Sequence, residues 1–172
     1  MRGSISAFNQ FEVDLPPSEW IAEQDGAGLA WQESYRLMAY VAMFEGTGNI
    51  NYLNAVMDRI NEVLKIRDDT RKIQDAVRGR VLPAWSSTKY TGGKPYAWIV
   101  HAGMITYPIA RCAYLIRRDP KLRKQYGTTA DEYIAAVEET VRAFRYAWRE
   151  NSAKDEGWFY GDYIDRKLPF NM

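Results

Sequence analysis

The chain has 172 residues, a formal net charge of +1, one cysteine and one histidine. That length fits one domain, Cys112 alone excludes an internal disulfide and any multi-cysteine metal site, His101 alone excludes a multi-histidine metal site, and the charge gives no argument for nucleic acid. Hydrophobic residues at 47% suffice for a core, and aromatics at 14%, with six Trp and twelve Tyr, suit either a large core or a surface that stacks flat ligands such as sugars.

Residues 1–28 carry Pro16, Pro17, Gly26 and Gly28, with Phe8, Phe11, Trp20 and Ile21 scattered without period. They read as an N-terminal arm packed on the body, with a short helix over 18–24 capped by Ser18. No apolar signal-peptide core is visible. The opening Met1-Arg2-Gly3-Ser4 resembles a vector-derived leader, which leaves an extracellular or periplasmic setting open.

Residues 29–45 predict the first strong helix. Its body from Leu37 to Phe44 is nearly all apolar, its first turns hold Trp31, Gln32, Glu33, Tyr35 and Arg36, and Gly46-Thr47-Gly48 stops it. Residues 51–66 predict a helix of different character: Leu53, Val56, Met57, Ile60, Val63 and Leu64 follow helical spacing with charges on the other side.

Residues 67–95 form a long connection, and such connections in compact domains are commonly functional. Asp68, Asp69, Arg71 and Lys72 read as a solvated face, 81–85 as a short extended piece, and 86–95 as a Ser/Thr/Gly-rich loop.

Residues 96–118, YAWIVHAGMITYPIARCAYLIRR, are apolar on nearly every side and predict a buried helix. His101, Pro108 and Arg111 interrupt the run, which argues against a membrane span. Pro108 should kink the helix, Asp119-Pro120 should end it, and Arg111 needs a buried acid or carbonyl as partner. Thr129-Ala130-Asp131-Glu132 reads as a capping box opening a fourth helix, with Ile134, Val137, Val141, Phe144 and Trp148 as its stripe. Residues 151–168 read as a loop rich in aromatics and acids.

The pattern repeats with a period of roughly 70 residues: an apolar helix, a turn, an amphipathic helix, an aromatic loop. Ala30-Trp31 matches Ala97-Trp98, and Trp85 matches Trp158 or Tyr160. Alternating apolar and amphipathic helices imply two layers. The expected fold is therefore all-α, helical hairpins in two layers forming a portion of an (α/α) toroid. The hairpin domain spans 29–172 and stops at the threshold of a third hairpin, so that a second copy or a missing remainder of the toroid would cover its edges. A complete four-helix protein is the other reading.

The segments LAWQESYRLMAYVAMFEGTGN and YAWIVHAGMITYPIARCAYLI resemble inner helices of the six-hairpin glycosidase-like superfamily. They are most similar to relatives of alginate lyases and of the carboxyl-terminal domains of D-glucuronyl C5-epimerases. The resemblance covers 28–172 and implies carbohydrate chemistry in a cleft at one end of a helical barrel, with an oligo- or polysaccharide as partner. It carries over no catalytic residue.

Short inner-to-outer turns and long outer-to-inner loops place the site at the amino ends of the inner helices, where anionic groups such as uronates are favoured. The candidate catalytic residues there are His101 as acid or base, Glu33 or Asp162 in glycoside hydrolysis, which needs two carboxylates, and Tyr90, with Tyr35 and Tyr160 as alternatives, beside Arg36 in a lyase. Trp31, Trp85, Trp98, Trp158 and Tyr160 are candidate sugar platforms, with Arg36 and Lys89 as cations for a substrate carboxylate. Each has a plainer alternative as core or surface, and a non-catalytic glycan- or protein-binding helical module is the competing function. No nucleotide, zinc or serine-hydrolase motif occurs, and no cofactor is expected.

Overall fold

In the computed structural model, residues 2–14 and 18–161 are described, and they form a mostly helical molecule. The chain opens with α1 (Arg2–Val13), followed by a 3-10 helix at Ser18–Glu23. The N-terminal segment packs on the body as expected, and its first residues are helical, which the sequence pattern does not anticipate. Phe8 on α1 meets Tyr40 and Tyr52 edge-on at 5.3 and 5.5 Å, and Asn9 accepts from the Tyr52 hydroxyl at 2.7 Å. The helix is specified by these tertiary contacts, which a local pattern cannot reveal.

The first inner helix is built in three pieces: α2 (Gly26–Gly28), a π-helical turn at Leu29–Glu33, and α3 (Ser34–Thr47). It closes on Gly48 in the left-handed conformation, as the Gly46-Thr47-Gly48 stop signal predicts. The outer helix α4 (Ile50–Lys65) starts at Asn49, whose side chain accepts from the Asn51 N–H. Its apolar stripe, Leu53, Val56, Met57, Ile60 and Val63, is buried.

A short α5 (Asp68–Arg71) opens the long connection, which ends in a two-stranded antiparallel ribbon of β1 (Ser86–Ser87) and β2 (Tyr96–Ala97). This connection is anchored by buried acids rather than loose. Asp75 accepts from the N–H groups of Val77, Arg78 and Ala97 and pairs with the Arg78 guanidinium at 2.6 Å. Asp68, expected in water, is buried and accepts from the Ser86 N–H and hydroxyl at 2.8 and 2.6 Å.

The second inner helix, α6 (Ile99–Arg118), starts three residues later than expected because Tyr96 and Ala97 are taken by β2. By length and mean hydropathy (1.3) it could cross a membrane, but 56% of it is buried against neighbouring elements, as in the core helix of a globular fold. Arg111 lies half-exposed and pairs with Glu45 of α3, so its partner is a surface acid and not a buried one. The outer helix α7 (Pro120–Ala143) begins at once: Asp119 caps the N–H groups of Lys121 and Leu122, with Pro120 in the first turn. The helix therefore starts nine residues before the Thr129 capping box, which lies in its interior. A hairpin of β3 (Trp148–Glu150) and β4 (Gly157–Phe159) occupies part of the expected 151–168 loop.

The helices pack in the sequence α4, α3, α6, α7, with the apolar pair α3 and α6 in contact at the centre. The core joins Leu37 and Val41 of α3, Val56 and Ile60 of α4, and Ile109 and Cys112 of α6. The outer helices are tied together by Tyr133, whose hydroxyl hydrogen-bonds with the Met57 carbonyl and Asn61 at 3.1 and 2.8 Å. Two helical hairpins, α3 with α4 and α6 with α7, are thus present; among the described residues Trp31 and Tyr35 are exposed on the first inner helix and Tyr107 and Tyr114 on the second.

Candidate functional site

The amino ends of the two inner helices come together around His101. Its imidazole lies 5.7 Å from the Trp31 ring, 6.1 Å from Tyr90 and 6.2 Å from Trp98, centroid to centroid. His101 and Trp98 are buried, while Trp31 and Tyr90 are exposed by 41% and 45%. Lys89 places its ammonium 5.9 Å from the Tyr90 ring centre. The cluster therefore has a buried floor and an aromatic, cationic lip.

Local backbone features make this convergence possible. In the π-helical turn the Ser34 N–H reaches back to the Leu29 carbonyl, one residue further than in an α-helix. Such turns concentrate at functional sites; here the widened turn leaves Trp31 outside while Glu33 is buried. Gly26 allows the next contact. A Cβ at that position would sit 2.1 Å from the Trp85 carbonyl oxygen, so only glycine lets the ribbon lie directly on α2. That approach lets the Ser87 hydroxyl donate to Asp25 at 2.7 Å. Gly92 and Gly93, both at positive φ, turn the loop that carries Lys89 and Tyr90.

Asp25 was not among the candidates, yet it is the carboxylate that acts electrostatically on His101. Burial pushes its pKa up, but hydrogen bonds from the Gly28 N–H, the Ser87 hydroxyl and the Ala27 N–H outweigh burial and hold it below the usual value. The only sequence signal was its position before a Gly-Ala-Gly helix start. For His101, burial dominates over the attraction of Asp25 and lowers the pKa to about 4. The imidazole is neutral at pH 7, and its Nδ1 has no hydrogen-bond partner among the described residues.

Other candidates lie elsewhere. Glu33 is fully buried and gives both carboxylate oxygens to Arg59, at 2.6 and 2.8 Å. Arg36 adds a third bond to Glu33 at 3.1 Å and stacks on Trp20 at 4.8 Å. Glu33 is thus enclosed, with its carboxylate oxygens held by two guanidinium groups. Trp85 is core, its indole N–H donating to the Val63 carbonyl at 2.9 Å. Trp158 and Tyr160 belong to the β3–β4 region: Trp158 pairs across the hairpin with Arg149, and the Tyr160 N–H donates to the Ala147 carbonyl. Asp162 lies outside the described residues. Among the described residues no group of three or more His, Cys, Asp or Glu could hold a metal ion.

No protein-family model, curated protein or solved structure matches the chain.

The arrangement at the rim offers three things chemically: flat faces for stacking, a neutral imidazole nitrogen in a desolvated floor, and a cation at the lip. Those suit a ligand with a ring and a negative charge.

Proposed function

We propose that the chain is a two-hairpin portion of an (α/α) toroid that handles acidic carbohydrate, with its site at the rim formed by Trp31, Tyr90, Trp98, His101 and Lys89. The observation that carries this reading is the convergence of three aromatic rings on the one histidine at the amino ends of both inner helices.

Proton abstraction is favoured over hydrolysis. Hydrolysis needs two carboxylates flanking the scissile bond, and among the described residues the two acids of the first inner helix's opening turns are committed to protein donors, Glu33 to Arg59 and Asp25 to backbone and Ser87. A neutral imidazole can instead take the proton on the carbon beside a uronate carboxylate, with a cation stabilising the resulting enolate. From there the pair of electrons either forms a double bond to the adjacent ring carbon and expels the glycosidic oxygen it carries, which leaves with a proton from the imidazolium or water, as in a lyase, or recaptures a proton from water on the opposite face, as in an epimerase. A bound carboxylate also raises the imidazole pKa from its low value and improves it as a base. Incubation with oligouronates in deuterated water tests this: deuterium at the carbon beside the carboxylate, or an unsaturated product, supports it. Binding with neither supports the second reading, a non-catalytic glycan-binding module. That reading is favoured by one observation, the 1% exposure of His101, which requires Trp31 or Tyr90 to swing aside before a sugar carbon can reach the nitrogen.

A further inference from the structure

The turn between α6 and α7 gathers five exposed cations within eight residues: Arg117, Arg118, Lys121, Arg123 and Lys124. The one acid inside that span, Asp119, uses its Oδ1 to cap the N–H groups of Lys121 and Leu122. Asp131 takes Arg117 at 2.7 Å. Among the described residues no carboxylate lies within ion-pairing distance of Arg118, Lys121, Arg123 or Lys124. The whole chain carries only +1, so this is a local concentration and not an overall surplus.

Helix stability does not account for it. Arg117 and Arg118 suit the carboxyl end of α6, but Lys121, Arg123 and Lys124 stand at the amino end of α7, where no acid occupies the first turn and positive charge opposes the helix dipole. A second feature lies beside it. Tyr114, half exposed, is faced by the guanidinium groups of Arg111 at 5.1 Å and Arg118 at 5.7 Å. Tyr107, two turns earlier and about 10 Å along the helix, is exposed on the same stripe. Arg117, Arg123, Gly127 and Asp131 border an adjoining depression of about 370 Å³.

We propose that this corner docks an acidic polysaccharide, its cations taking sugar carboxylates and the Tyr107–Tyr114 stripe taking sugar faces. The choice of a sugar polyanion rests on the carbohydrate reading above, while the site shares no residue with the rim. A membrane surface fits less well: Leu122, the apolar residue of the corner, packs against the core, so no wedge is left to enter hydrocarbon. From His101 to Arg118 the helix runs about 25 Å, so a single glycan must exceed that length to engage rim and corner together.

The test measures binding of the full chain to polygalacturonate fragments of graded length, to neutral dextran, to phosphatidylserine vesicles, to single-stranded DNA and to polyglutamate. Wild type should bind long polygalacturonate at least tenfold more tightly than vesicles, DNA or polyglutamate, and should not bind dextran. Lys121→Glu with Lys124→Glu should weaken long-fragment binding at least tenfold and flatten its salt dependence, leaving trimer binding unchanged. Tyr114→Ala should weaken polygalacturonate but not polyglutamate. Unchanged long-fragment binding in the charge variant overturns the proposal, as does equal or tighter binding of vesicles, DNA or polyglutamate. If trimers bind neither protein while long fragments still depend on Lys121 and Lys124, the corner stands and the rim reading falls.

Discussion

Glu33 and Arg59 face each other across the interface of the first helical hairpin, joined by two hydrogen bonds of 2.6 and 2.8 Å, with side-chain exposures of 0% and 8%. A carboxylate so enclosed needs its partner more than the fold needs the pair. Removing one partner of a buried ion pair costs about 3–5 kcal/mol, whereas replacing both by apolar groups is often neutral. Glu33→Gln should therefore lower unfolding free energy by about that amount in a denaturant titration. The double variant Glu33→Leu with Arg59→Met should recover most of it. A catalytic Glu33 predicts the opposite pattern, with stability preserved and activity lost.

His101 offers a clean pH probe because it is the sole histidine. Its pKa is lowered by burial from 6.5 to about 4, so between those values the unfolded chain binds more protons than the native one. Stability from this group is complete above about pH 6.5, falls as the pH drops toward 4, and levels off below. The difference in unfolding free energy between wild type and His101→Asn should change over that window by up to about 3 kcal/mol. A flat difference, or an imidazole resonance titrating near 6.5, contradicts the burial argument.

Asp68 predicts the reverse sign. Burial raises its pKa from 3.8 to about 6 despite the hydrogen bonds from Ser86, so the native state holds the proton more tightly and loses stability as pH rises from about 4 to 6. Asp68→Asn should stabilise the protein by about 1–3 kcal/mol at pH 7 and have no effect at pH 3.5. The check is a pair of urea titrations at the two pH values.

Trp31 is exposed, edge-on to His101 and outside the main core. Trp31→Ala should leave the thermal midpoint within a few degrees and weaken oligouronate affinity about tenfold, or ~1.4 kcal/mol. Trp85→Ala removes a buried ring and its bond to Val63, and should cost about 3–5 kcal/mol of stability instead. The contrast separates a platform from a core tryptophan.

The sequence made the helical layering legible wherever one helix carried its own pattern. The stripe of α4 is unmixed, and the apolar runs of α3 and α6 announce burial directly. Boundaries failed where long-range contacts decided. The Thr129 capping box put the start of α7 nine residues late; the helix runs through Gly127 because a glycine costs only about 1 kcal/mol in a helix, and the packing of Leu122, Tyr126 and Tyr133 on the core outweighs it. Asp68 looked like a surface acid because its donor, Ser86, lies 18 residues away. At the site, placing His101, Trp31, Tyr90 and Trp98 at the inner-helix ends was within reach of pattern and repeat. The loss of Glu33 to Arg59 was not, since it depends on a side chain 26 residues distant. Nor was the coupling of Asp25 to His101, which depends on how closely Gly26 lets the β1–β2 ribbon approach.

The most direct measurement is the nuclear magnetic resonance titration of the His101 imidazole and the Trp31 and Trp98 indole signals with a uronate trisaccharide at pH 7. A uronate-binding rim predicts saturable shifts in all three and an imidazole pKa that rises from near 4 in the complex. Signals that stay in place at saturating sugar, in a protein still folded by its methyl spectrum, contradict it.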